Sequence, residues 1–230
     1  MTIAAIHQPQ YLSYLGFFHK LAHCDIFVAM DNVQFERRGI QHRNKIKTKQ
    51  GEQWLTVPVT HRSRDEELIN EIIISAEQPW VQKQWGSLVT NYSRAPYFDR
   101  YAPPLKAILD QGWTSLCELD MALTRWVMDE LEIKIPMVYL STLAVEGRKS
   151  ELLINACKAV GADTYLSGTG GKRYMDLAAF EAAQVNIQWQ EFQFPTYEQL
   201  FPEMGFAPYL SIVDTLMCCG PNTRKFLEMD

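Results

Sequence analysis

Two short apolar runs, Thr2–Ile6 (TIAAI) and Ile26–Met30 (IFVAM), bracket Leu15–Cys24 (LGFFHKLAHC). In that middle stretch Leu15, Phe18, Leu21 and Ala22 recur at the spacing of one helix face. Each apolar run is strand-length and stops at a polar residue, His7 or Asp31. Pro9 cannot donate to a sheet ladder, so the first strand must end near His7. A strand, a helix and a second strand in so few residues fold most simply as a parallel pair with a helical crossover. That places the loops after His7 and Met30 at the carboxyl edge of the sheet, where open α/β folds bind ligands.

The rest of the chain continues the pattern. Trp54–Val59 (WLTVPV) predicts a strand whose Pro58 marks an edge or an end, and Glu71–Ser75 predicts another. Helical patterns follow over Pro79–Tyr92, Tyr97–Asp110 and Thr114–Leu131, with Pro103-Pro104 expected to bend, start or interrupt the second. Strand signals return at Met137–Ser141, Thr164–Ser167 and Val185–Gln190, and helices at Ser150–Val160, Asp176–Gln184 and Ser211–Cys218. Ser150 is the expected N-cap of its helix and Gly161 the expected stop. With strands at both ends and helices in the centre, the expected fold is α/β. It is a mostly parallel, doubly wound sheet, Rossmann-like or nucleotidylyltransferase-like, forming one domain over 1–230 with a central helical insertion at 78–133.

Composition narrows the class. Aromatics at 12% and hydrophobic residues at 47% exclude a disordered chain. The net charge of −5 excludes a general polyanion binder. Five scattered Cys, with no CxxC, argue against both a disulfide framework and structural zinc. No basic leader precedes an apolar stretch and no run is long enough to span a bilayer, so a cytoplasmic location without a membrane span is expected.

Four polar segments could carry chemistry. His7-Gln8-Pro9-Gln10-Tyr11, with Gly16 beyond, joins a strand end to a helix amino terminus. There free N–H groups and the helix dipole favour phosphate, and the imidazole could stabilise charge in transfer. Asp31-Asn32-Val33-Gln34-Phe35 follows the second strand, and Asp31 could position Mg²⁺, a hydroxyl or an amine; a simple polar turn explains it equally. Residues 37–49 hold six Lys or Arg and no acid. Alternation of Arg43, Lys45 and Lys47 would line one face of an extended stretch, opposite Asn44 and Ile46, and could clamp phosphates. Nucleic acid is a weaker partner for this run because no aromatics interleave it; a solvated loop is the plain alternative. Ser167-Gly168-Thr169-Gly170-Gly171-Lys172 is a glycine-rich turn after a strand, able to bring backbone N–H groups to a phosphate, yet it matches neither GxxxxGK[ST] nor GxGxxG. His19 and His23 have the spacing of a metal pair, but Lys20 stands where HExxH needs Glu, so no metal site is expected. Cys218-Cys219 read as buried thiols.

The run IAAIHQPQYLSYLGFFHKLAHCDIFVAMDNVQF at 3–35 resembles the opening of the WbqC-like family. So do His42-Arg43-Asn44-Lys45-Ile46-Lys47, Trp54 to Val59, Tyr92 with Ala95-Pro96, Tyr165-Leu166-Ser167-Gly168 and Tyr209 to Asp214. Departures from that pattern are Ser13, in place of a proline, and Arg38-Gly39-Ile40. The resemblance implies a link to bacterial surface-polysaccharide (O-antigen) gene clusters, in a family largely without an assigned activity. The opening is also similar in layout to nucleotidylyltransferases of the pantothenate synthetase kind, a likeness of fold rather than of function.

Together these readings lead to an expected transferase acting on a small, phosphate-bearing nucleotide or nucleotide sugar. His7, Asp31 and Lys45 are its expected catalytic groups. Gln8, Gln10, Tyr11, Gly16, Gln34, Phe35, Arg43, Asn44, Lys47, Ser167, Gly168 and Lys172 would bind substrate. ATP or another nucleotide with Mg²⁺ is the cofactor such a site would take, and a homodimer is an open expectation. The alternatives are a non-catalytic nucleotide-sugar-binding module and, ranked last, nucleic-acid binding through 37–49.

Overall fold

The computed structural model describes residues 1–60 and 67–228. The opening unit forms as expected: β1 (Ile3–His7), α1 (Leu15–Ala22) and β2 (Ile26–Ala29). Next come a hairpin of β3 (Arg43–Thr48) and β4 (Gly51–Thr56), then the short strands β5 (Val59–Thr60) and β6 (Ile73–Ile74). Three helices follow, α2 (Trp80–Tyr92), α3 (Phe98–Leu109) and α4 (Leu116–Glu130). The chain returns to the sheet through β7 (Met137–Tyr139), α5 (Ser150–Ala159), β8 (Thr164–Ser167), α6 (Leu177–Ala182) and β9 (Asn186–Trp189). A loop-rich stretch then leads to α7 (Ile212–Cys219).

The main sheet has five strands in the order β7-β2-β1-β8-β9, and all four pairings are parallel. This is a Rossmann-like α/β fold. Its strands alternate faces with period two. Ala5, Phe27, Ala29 and Leu166 join the core beneath α1, α2, α3, α4 and α7. Ala4, Ile6, Val28 and Tyr165 join a second core beneath α5 and α6. Small residues in β1 let helices approach both faces, and burial on both sides explains why these strands are runs of apolar residues.

Several local expectations need correction. The predicted strand Trp54–Val59 is divided: β4 ends at Thr56, and β5 begins beyond Pro58, which lacks the N–H to continue. Glu71 belongs to a 3₁₀ turn, Ile69–Glu71, which shortens the following strand to Ile73–Ile74. The helix α3 neither starts nor is interrupted at Pro103-Pro104 but runs through them. Ser150 is the first residue of α5, not its cap; Lys149 holds that place at φ +54°, and the Ser150 hydroxyl accepts the Asp176 N–H at 2.9 Å. Gly161 does end α5, in the left-handed region at φ +71°.

A buried carboxylate secures the tail. Asp214 on α7 accepts from Tyr92 Oη at 2.7 Å, Tyr197 Oη at 2.7 Å and Gln199 Nε2 at 2.9 Å. These bonds join α2, the loop before α7 and α7 itself. Asp214→Ala removes three hydrogen bonds at once and leaves the buried Tyr92 hydroxyl without its acceptor, each loss worth about 1–3 kcal/mol. Urea unfolding is therefore expected to show a loss of ~3 kcal/mol or more.

Candidate functional site

The sheet order reverses between β1 and β8. From β1 the chain winds outward through β2 and β7, and from β8 it winds the other way to β9. Loops leaving the two central strands diverge, and a cavity of about 710 Å³ opens at their carboxyl ends. His7 and Gln8 line it from β1, and Ser167 to Gly171 from β8. Tyr14 and Lys149, the residues capping the amino termini of α1 and α5, also line it, and neither helix has a side-chain cap.

His7 Nδ1 lies 3.0 Å from Gln10 Nε2 and 3.1 Å from the Gln8 carbonyl oxygen. Ser13 Oγ donates to Gln10 Oε1, which turns the Gln10 amide so that its NH₂ faces His7. Nδ1 thus faces a donor in the Gln10 amide and an acceptor in the Gln8 carbonyl, and each ring tautomer satisfies one of them. Phe17 packs edge-on to the ring at 5.5 Å. Burial, then the Lys20 charge, hold the His7 pKa down at about 3. The ring is a neutral hydrogen-bond donor at neutral pH, not a cation.

Lys20, on α1, supplies the cation. It is only 6% exposed, lines the cavity, and makes no hydrogen bond or ion pair to any described residue. A Cβ built on Gly168 would lie 3.5 Å from Lys20 Nζ, so the ammonium lies close beside the glycine-rich turn. Burial lowers its pKa to about 8. Gly16 and Gly171 are required by contact. A Cβ at Gly16 would sit 2.5 Å from the Tyr14 ring and 2.9 Å from Phe192, and one at Gly171 would sit 2.4 Å from Ser167 Oγ.

The four predicted segments divide. His7, Gln8, Ser167 and Gly168 meet in the cavity, with Gln10 behind His7 and Gly16 beneath Phe192. Asp31 does not reach it. Its carboxylate accepts from Ser141 N–H at 2.9 Å, from Ser141 Oγ and from Asn70, bracing the end of β2 against that of β7. Gln34 bridges to Leu68, and Phe35 packs on His42. Tyr11 is buried and donates to Gln84 at 2.6 Å. Asn44 donates to the Leu12 carbonyl at 2.8 Å, holding the loop after β1.

The part of the basic run from Arg43 to Thr48 forms one arm of the β3–β4 hairpin, outside the cavity lining. Arg43 stacks on Trp54 at 4.4 Å, Lys45 pairs with Glu52, and Lys47 is buried with Nζ 2.6 Å from the Gly205 carbonyl. The aromatic absent from the run itself comes from the opposing strand, where Trp54 lies in register with Lys45. Lys172 stands over Trp189 at 5.2 Å. The phosphate clamp expected of Arg43, Lys45 and Lys47 is therefore not assembled around the cavity; partners on the hairpin and the tail hold these side chains.

Sequence reasoning missed Lys20, Lys149, Phe192 and Tyr209. Lys20 lies four residues after Gly16, so the helical period alone would have put both on one face of α1. Phe192 and Tyr209 belong to the loop-rich stretch after β9, which no local pattern links to β1. Gln190 makes that link by donating to the Gly16 carbonyl at 2.7 Å. Among the described residues no group of three or more His, Cys, Asp or Glu could hold a metal. Burial keeps Cys218 and Cys219 protonated, their pKa values pushed up to about 12. No helix among the described residues is long and apolar enough to cross a membrane.

The profile of the WbqC-like protein family matches residues 8–226. The uncharacterized protein Rv1507c of Mycobacterium tuberculosis is 32% identical over 230 residues, covering 99% of this chain and 98% of its own. No solved structure matches the chain.

The two depressed histidines set a pH dependence. His7 titrates at about 3 and His19 at about 4 in the folded protein, both chiefly through burial, against 6.5 when exposed. Between those values the unfolded chain binds protons that the folded chain does not, so stability falls as pH drops from about 6.5 toward 4. His7→Gln is expected to flatten that slope in a series of melting temperatures.

Proposed function

We propose that this chain, which belongs to the WbqC-like protein family, binds a phosphate-bearing small molecule at the carboxyl edge of its parallel sheet and transfers a group from it. A nucleotide or nucleotide sugar is the donor class we favour, and nucleotidyl, acyl or aminoacyl transfer the reaction class. The family resemblance suggests surface-polysaccharide biosynthesis as the setting. One observation carries the reading: Lys20 keeps a nearly buried ammonium without a partner among the described residues, close beside Gly168. Burying a charge is costly unless an opposite charge meets it. A phosphate in the cavity that touches both Lys20 and the glycine-rich turn would supply that charge.

The surroundings suit this assignment. The uncapped starts of α1 and α5 offer N–H groups and the positive ends of two helix dipoles. The glycine-rich turn lets its backbone come close to an anion. In the tautomer whose Nδ1 accepts from Gln10, the neutral His7 ring can donate from Nε2 to an oxygen that gains charge during transfer. Should Mg²⁺ enter with the nucleotide, phosphate oxygens and water would supply its coordination.

The test is binding of ATP, UDP and UDP-glucose, each with and without Mg²⁺, by calorimetry on the native protein and on Lys20→Met. Methionine keeps much of the length of the side chain and removes the charge. Hydrogen bonds to charged groups are worth about 1.5–3 kcal/mol, so affinity is expected to fall roughly 10- to 100-fold. In the native protein affinity should also fall as pH rises through about 8, where Lys20 loses its proton. Equal binding by Lys20→Met would remove the reading. Tight binding with no turnover on any acceptor would instead favour a non-catalytic module.

A further inference from the structure

The strand order gives the cavity two unlike sides around the Lys20 centre. Toward β2 it is walled by the aliphatic Met30, Val33, Leu152 and Leu153. Toward β9 it is walled by Tyr14, Phe192 and Tyr209. The aromatic side is a corner, not a slot. Tyr14 and Tyr209 meet at 63° with centroids 6.1 Å apart, and Tyr209 meets Phe194 at 58° and 5.0 Å. Tyr209 is held in the left-handed region at φ +57°, yet it is 62% exposed. A large aromatic at such a strained backbone position, left uncovered at the mouth of a cavity, is a feature that sites rather than cores display.

We infer that this corner of Tyr14, Phe192 and Tyr209 seats a sugar ring of the ligand whose phosphate end lies at Lys20. A nucleobase stacks best between parallel faces, which these rings do not provide. A saturated ring presents C–H groups to one aromatic face and hydroxyls to a neighbouring edge. The inclined Tyr14 and Tyr209 rings offer both, with two phenolic hydroxyls to donate or accept. The wall is anchored to the site it serves: Gln190 ties its root to Gly16, and Phe192 packs against the Gly16 backbone one turn before Lys20. The aliphatic side is left for the base.

The inference rests on the phosphate reading for the ligand's far end, and the test separates the two. Calorimetry would compare UDP with UDP-glucose and UDP-N-acetylglucosamine on the native protein, Tyr209→Ala and Tyr209→Phe. Tyr209 is exposed, so both variants should fold, which circular dichroism would check. The expected result is a UDP-sugar bound about tenfold more tightly than UDP by the native protein. In Tyr209→Ala that advantage should vanish while UDP itself binds unchanged; in Tyr209→Phe it should survive in part. Equal losses for UDP and UDP-sugar would place the base at the corner and overturn the inference. If none of these phosphates binds, saturation-transfer NMR with methyl glycosides of hexoses and N-acetylhexosamines decides. Saturation of the sugar ring protons by the native protein, abolished in Tyr209→Ala, would uphold the corner without the phosphate site. No saturation by the native protein would overturn it.

Discussion

Parallel strands must be joined by crossovers, and a chain that winds outward from its central strands in both directions cannot cover the place where it reverses. Here that place lies between β1 and β8. The loops after His7 and Ser167 lead to opposite faces, so the space between them can be closed only by side chains, by a ligand, or by chain arriving from elsewhere. Most of what is particular to this protein answers that geometric condition. Glycines let the turn after β8 stay tight, two helices start at the rim, and the stretch after β9 folds back across α1.

The polar groups near this edge fall into two kinds. Most are spent on structure. Asp31 joins two strand ends through Ser141, and Asp214 gathers Tyr92, Tyr197 and Gln199. Asn44 holds the carbonyl of Leu12. Satisfied in this way, they rigidify the scaffold and leave little capacity for a ligand. His7 and Lys20 are the second kind. Each is desolvated and each keeps a nitrogen free among the described residues, at the cost of a pKa displaced by burial. Displacement of this sort, inside a cavity at a switch point, marks the two as candidate functional groups.

The basic hairpin illustrates how a sequence pattern can be right locally and wrong globally. Arg43, Lys45 and Lys47 do alternate along a strand, as their spacing requires. Their destination depends on Trp54, Glu52 and Gly205, and only Trp54 and Glu52 are near in sequence. A charge run specifies a face but not the element that will face it. Lys20 is the converse case. In the sequence it stands out only because it spoils a metal motif beside His19, and its isolation follows from packing against β8 and the tail.

By itself the sequence determined the strand–helix–strand opening, the parallel sheet, the helices with their main boundaries, and the delivery of His7 and Ser167 to one edge. These depend on periodicity, strand length and the geometry of proline and glycine, which act over a few residues and leave their mark there. Tertiary structure alone decided which strands became neighbours and that Asp31 and Lys47 would be consumed by partners. It also left Lys20 without a partner among the described residues and brought Tyr209 to the cavity beside Tyr14. Those outcomes depend on contacts between segments such as α1 and the tail, 174 residues apart at the Gln190–Gly16 bond. Burial and charge pairing across such separations are properties of the whole folded chain, and no local pattern encodes them.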